Sequence, residues 1–136
     1  NMVEKTLRFP GHAKLISKEL KSGKIIPGDI NNLQRLFKIW NLLPDELEFT
    51  VLEVIIETDM STHTYYLFDE TNLKENTSSM ARTTGYTASA TIDILAQNMF
   101  IEKGVFPPEI VGSKSKVVDY LVNHLRERDI LLKKII

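Results

Sequence analysis

Hydrophobic positions divide the chain into alternating strand-like and helix-like segments. Val3–Phe9 reads as a short strand, ended by Pro10-Gly11, because proline lacks an N–H for a ladder and glycine suits a turn. His12–Ser22 reads as a helix with Leu15, Ile16 and Leu20 on one side and Gly23 as its stop. After a turn at Pro27-Gly28-Asp29, Asn31 or Asn32 caps a second helix. Its Leu33, Leu36, Phe37, Trp40 and Leu43 recur at helical spacing, and Pro44 closes it. Glu48–Thr58 is β-branched and apolar on both faces, the pattern of a central strand buried on one face and half buried on the other. Asp59-Met60-Ser61 connects it to a hairpin partner, Thr62–Asp69, with Tyr66 and Phe68 on one face and Tyr65 and Leu67 on the other.

The second half continues with a polar loop, Glu70–Thr77, and a third antiparallel strand at Ser78–Arg82. Tyr86–Met99 is the cleanest amphipathic helix, carrying Ala88, Ile92, Leu95, Ala96 and Met99 on one stripe. Lys103–Pro108 is a proline-containing connection. Lys116–Arg128 is a last helix with Val117, Val118, Leu121, Val122 and Leu125 on its apolar side, and Ile130–Ile136 is a terminal strand or tail. These elements predict an α+β fold, with a mixed, mainly antiparallel β-sheet covered by helices.

Composition narrows the function. The 136 residues suffice for one domain with a core. Lys and Arg number 17 against 18 Asp and Glu, and this balance argues against a nucleic-acid partner. No run approaches the roughly 20 apolar residues of a membrane span, and the polar N-terminus has no signal-peptide pattern. The absence of cysteine removes disulfides, thiolate metal sites and Cys nucleophiles, and it fits a reducing, cytoplasmic setting. His12, His63 and His124 are scattered, so no metal site is expected. There is no G-x-G-x-x-G, no P-loop and no G-x-S-x-G elbow. No catalytic residue can therefore be named from the chain.

Two junctions carry candidate chemistry. Met80-Ala81-Arg82-Thr83-Thr84-Gly85-Tyr86 leads from the third predicted strand into the strongest helix. The first N–H groups of a helix lack internal partners, so Arg82, two hydroxyls and Gly85 there would suit a carboxylate or phosphate. The plainer reading makes Thr83 or Thr84 an N-cap, Gly85 a turn residue and Arg82 a solvated strand end. At Arg8-Phe9-Pro10-Gly11-His12, His12 is either an acid–base group or a helix-start residue bound to backbone. Trp40 reads as a core or interface anchor, and Glu53 with Glu57 as a solvated strand face.

Three segments carry a resemblance: Lys5-Thr6-Leu7-Arg8-Phe9-Pro10-Gly11-His12, Met80-Ala81-Arg82-Thr83-Thr84-Gly85-Tyr86-Thr87 and Lys103-Gly104-Val105-Phe106-Pro107-Pro108-Glu109. Together, in this order, they resemble the C-terminal part of the saccharopine dehydrogenase family, in its saccharopine dehydrogenase-like and lysine 6-dehydrogenase branch. Phe9 departs from that pattern, standing where a Tyr is common.

The resemblance implies the second, α+β domain of a longer oxidoreductase of lysine metabolism that transfers hydride at a C–N bond of an amino-acid substrate. NAD or NADP would bind the Rossmann domain of the full-length protein and not this chain, which alone would be inactive. Asn1 is read as a remnant ahead of Met2. Residues 1–112 would form the substrate and dimerisation domain, and residues 113–136 a helix and strand that pack on the Rossmann domain. Arg82 would clamp a substrate carboxylate, with Thr83, Thr84 and Gly85 adding hydrogen bonds and Arg8 and His12 as second choices. A homodimer is expected. A non-catalytic dimerisation module is the alternative.

Overall fold

The computed structural model describes residues 2–41, 43 and 46–135. The chain divides into two compact units, Asn1–Glu46 and Leu47–Ile136.

The first unit holds α1 (His12–Lys21) and α2 (Ile30–Trp40). Val3–Phe9 is not a strand: it is irregular and exposed. A strand needs a ladder partner, and this unit has no other extended segment among its described residues to supply one. Gly11 precedes α1 at φ 90, a left-handed conformation that glycine adopts without cost. The α2 cap is Asp29 rather than Asn31 or Asn32. Its carboxylate accepts from the amides of Asn31 at 2.9 Å and Asn32 at 3.3 Å. The Asn32 side chain instead ties Ile26 N and Lys24 O, so it braces the turn before the helix. Pro44, expected as the helix stop, lies outside the described residues. No described residue of this unit is buried, and Phe37 and Trp40 remain exposed on α2. Two short helices have too little volume to enclose a core.

The second unit is α+β. Strands β1 (Phe49–Glu57) and β2 (Thr62–Glu70) form the predicted hairpin, paired from Phe49↔Glu70 to Glu57↔Thr62. Thr58 closes the turn, accepting at Oγ1 from the Met60 and Ser61 amides. The third strand is not Ser78–Arg82. It is β3 (Leu132–Ile135), supplied by the C-terminal tail and antiparallel to β2. The sheet order is β1-β2-β3, so β2 is central and β1, expected to be central, is an edge. No β1 residue is buried, although its sequence is apolar on both faces.

Ser78–Arg82 instead opens α3 (Ser79–Ala96), whose predicted start at Tyr86 comes two turns too late. Ser78 is its N-cap, accepting from Ala81 N at 3.2 Å. The threonine hydroxyls of this stretch are satisfied within the helix, donating back along it: Thr83 to Ser79 O, Thr87 to Thr83 O and Thr91 to Thr87 O. After α3 come α4 (Pro108–Gly112) and α5 (Ser115–Arg126). α3 lies over β1 and β2, and α5 packs on α3. The segment from residue 113 packs within this unit, α5 on α3 and β3 on β2. One core cluster joins Leu67, Leu125 and Ile130, flanked by Tyr86 and Leu132. A second joins Ile94, Phe100 and Val117, with Phe106 packed edge-on to Phe100 at 5.4 Å.

Candidate functional site

The N-terminal end of α3 does hold a carboxylate, and the carboxylate is the chain's own. Glu48 precedes β1, and its side chain receives the Ser79 N–H and, at 2.7 Å, the Ser79 hydroxyl. The Thr71 hydroxyl lies 3.1 Å from Glu48 Oε1, and Thr50 and Ser79 share a hydroxyl contact of 2.7 Å. Ser79 is fully buried. Burial pushes the Glu48 carboxyl up, but the hydrogen bonds from the Ser79 hydroxyl, the Ser79 amide, Thr71 and the Met80 amide outweigh it and hold it below its ordinary value. The helix start thus lies at Ser79, ahead of the Arg82–Gly85 segment expected to hold an anion, and its amide is occupied from within the unit.

Arg82 is neither a solvated strand end nor a free cation. It lies on the inner side of α3, only 6% exposed, against an equally buried Asp69 of β2. Its Nε meets Asp69 Oδ2 at 3.0 Å and its Nη2 reaches Oδ1 at 3.4 Å. Nη2 also donates to Arg128 O at 2.8 Å, and Nη1 lies 3.8 Å from Glu75. The Asp69 hydrogen bond raises the guanidinium pKa further above its ordinary value, and the nearby Asp69 charge adds to the effect. Arg82 and Arg128 both approach the Tyr86 ring, at 5.8 and 5.3 Å from its centre. Arg82 therefore ties helix α3, strand β2 and the end of α5 together.

The neighbouring candidates fall within the helix. Thr83 spends its hydroxyl on Ser79 O, and its neighbours Thr84 and Gly85 lie on the exposed side of α3. A Cβ at Gly85 would meet nothing within 4 Å, so packing inside the unit does not require glycine there. Arg8 and His12 belong to the first unit, where both are exposed and the His12 ring lies 6.4 Å from that of Trp40.

Sequence reasoning missed Glu48, Asp69 and Arg128. The signal available for Asp69 was its register: it follows Tyr65 and Leu67 on one strand face, so an acid there faces the core and needs a cation.

A second polar group joins α3 to α5. Ser89 Oγ and His124 Nε2 lie 3.0 Å apart, and His124 Nδ1 is 3.7 Å from Asp93. Tyr120 donates to Asp93 at 3.4 Å and accepts from Gln97 at 3.0 Å. The residue types match a nucleophile triad, but the geometry opposes it. Ser89 Oγ donates to Tyr86 O at 3.0 Å, a backbone acceptor in its own helix that competes with the imidazole for the hydroxyl proton. Ser89 also sits inside a helix, where the backbone N–H groups are already bonded and cannot serve an oxyanion. The group works as a polar clasp between two helices.

Dinucleotide binding can be tested against the same frame. The described sheet is antiparallel throughout, so it has no parallel βαβ crossover to present a glycine-rich turn and a helix start to a pyrophosphate. The described sheet therefore offers no frame for the Rossmann mode of dinucleotide binding. Among the described residues no three His, Asp or Glu side chains gather as a metal site requires, and no helix is long and apolar enough to cross a membrane.

Residues 1–131 match the family model of the saccharopine dehydrogenase C-terminal domain. No curated protein matches the chain.

Proposed function

The chain belongs to the family of saccharopine dehydrogenase C-terminal domains, and we propose that it is the substrate-binding and dimerising part of an NAD(P)-dependent oxidoreductase acting at a C–N bond of an amino-acid-type substrate. The observation that carries this reading is the family match across residues 1–131, which makes the chain a member of an oxidoreductase family. The nucleotide, bound outside these residues, supplies the hydride chemistry. What this chain contributes is position. The Arg82–Asp69 pair and the Glu48 cup hold α3 at a set height over the sheet. Its exposed Thr84 and Gly85 then form a surface along which a substrate backbone or carboxylate can lie close to the helix. Arg82 acts as a positioning residue for that surface.

Calorimetry with NAD and NADP, paired with a hydride-transfer assay of the whole protein that carries this chain, tests the reading. The expected result is no saturable binding by the 136-residue chain and nucleotide-dependent turnover by the whole protein. Micromolar binding of either nucleotide to this chain would overturn the division of labour. A whole protein with no turnover on any amino-acid substrate would favour the non-catalytic module.

Dimerisation is supported by the mismatch at β1. Its Val51, Leu52, Val54, Ile55 and Ile56 have the composition of a central strand, yet it lies at the sheet edge with these side chains exposed. An apolar edge of this length invites another strand, and an inserted Lys is the usual protection against it. We expect sedimentation equilibrium to give a dimer at tens of micromolar and Ile55→Lys to weaken it at least about tenfold. A wild-type monomer at that concentration would remove the dimer from the proposal.

A further inference from the structure

The sheet face turned away from α3 is largely apolar and is crossed by one row of opposite charges. Thr50 of β1 meets Ser79 of α3, so the even-numbered β1 residues face the helix side and the odd-numbered ones face away. On the far side Glu53 pairs in register with Tyr66, and Tyr66 with Lys133. These three residues therefore stand in a line across the strands, acid on β1, aromatic on β2 and base on β3, about 4.8 Å from each to the next. Glu53 and Lys133 are both exposed, and among the described residues neither has an ion-pair partner. The flanking rows carry no charge. Ile55, Thr64 and Ile135 form one of them. Val51 and Phe68 form the other, with Leu131 beside Phe68 in the same shallow cleft. Their large apolar side chains are exposed.

This pattern complements itself under one operation. A two-fold axis parallel to β2, lying between two copies laid face to face, exchanges the β1 and β3 sides. It sets Glu53 of each copy over Lys133 of the other, and Tyr66 over Tyr66. It also sets Ile55 over Ile135 and Val51 over Leu131, apolar against apolar. An axis across the strands would instead set Glu53 over Glu53 and Lys133 over Lys133, two repulsions in place of two attractions. Glu70, at the end of β2, is the other charge near the axis. It lies about 13 Å along the strand from Tyr66, and the usual crossing of packed sheets at about 30° swings its two copies apart.

We infer that this face docks on the same face of a second copy of the chain, with each Glu53 meeting the other copy's Lys133. The inference rests on the reading above in one respect, that the chain self-associates. It uses side chains of all three strands, whereas the edge contact uses the main chain of β1. The face measures roughly 14 by 17 Å. That is small beside a standard stable interface, so the contact is weak and is read at high concentration.

Sedimentation equilibrium of the 136-residue chain, from about ten to several hundred micromolar, provides the test. Glu53→Lys and Lys133→Glu should each weaken self-association at least about tenfold, because each turns both crossed pairs into like charges. An equimolar mixture of the two single variants should regain wild-type affinity as a heterodimer, and the double variant should regain it as a homodimer. That recovery separates a lost contact from misfolding. Lys133 lies two strands away from the β1 edge, so an edge dimer is indifferent to Lys133→Glu. Wild-type association that Lys133→Glu leaves within about twofold, or single variants that do not recover on mixing, would overturn the face contact and leave the edge dimer standing. A wild-type chain that stays monomeric over the whole range would overturn both.

Discussion

Replacing Arg82 by methionine lowers the stability of the chain by about 3–5 kcal/mol, the usual cost of stranding one member of a buried ion pair. The loss is large because a domain of this size has only about 5–15 kcal/mol in total. Arg82→Met leaves the Asp69 carboxylate and the Arg128 carbonyl without their donor, both close to the Leu67–Leu125–Ile130 core. Arg82→Lys should recover only part of the loss, because a point charge cannot reach both Asp69 oxygens and the Arg128 carbonyl together. The double variant Arg82→Met/Asp69→Leu should recover most of it, since removing both charges leaves nothing uncompensated. Urea unfolding midpoints of the three variants decide the matter. If Arg82→Met stays within about 0.5 kcal/mol of wild type, as surface substitutions do, Arg82 is not a structural tie. It would then be free to act as the substrate carboxylate clamp.

The hairpin and the start of α3 show where sequence reading succeeds and where it stops. The hairpin was legible to within a residue, because both runs are rich in β-branched and aromatic residues and a short polar turn joins them. The start of α3 was not. Met-Ala-Arg-Thr-Thr-Gly contains a β-branched pair and a glycine, which locally favour a strand end or a turn. The helix wins because Ser78 caps it and because Glu48 seats on its first amides, and Arg82 on Asp69, from far away in sequence. Those last contacts are tertiary and leave no local trace. The edge position of β1 is equally invisible to periodicity, which reports how many faces are apolar and not how many neighbours a strand has. The residues expected to meet an anion, Arg82 to Gly85, lie inside the helix, whereas the groups that meet the Glu48 carboxylate are Ser79, Thr71 and the Met80 amide.

Neutralising that carboxylate should be felt nearly as strongly and in a pH-dependent way. Glu48→Gln is expected to cost about 1–3 kcal/mol at neutral pH, the range for losing hydrogen bonds to a charged acceptor and leaving buried donors unpaired. Glutamine keeps the size of the side chain but turns an N–H donor toward the Ser79 amide and hydroxyl, which are themselves donors. The Glu48 carboxyl is held below its ordinary value of 4.5 in the folded chain, so folding favours its ionised form. The stability it contributes is therefore fully present above that ordinary value and fades as the pH falls through the lower, folded-state value. Wild type should lose stability on acidification from about pH 5 to about pH 3 more steeply than Glu48→Gln, and the two curves should converge at the acid end. Urea midpoints for both proteins across that range provide the measurement. Parallel curves, with the same gap at both ends, would mean that Glu48 acts through packing and not through its charge. The helix start would then be free to receive a carboxylate from a substrate.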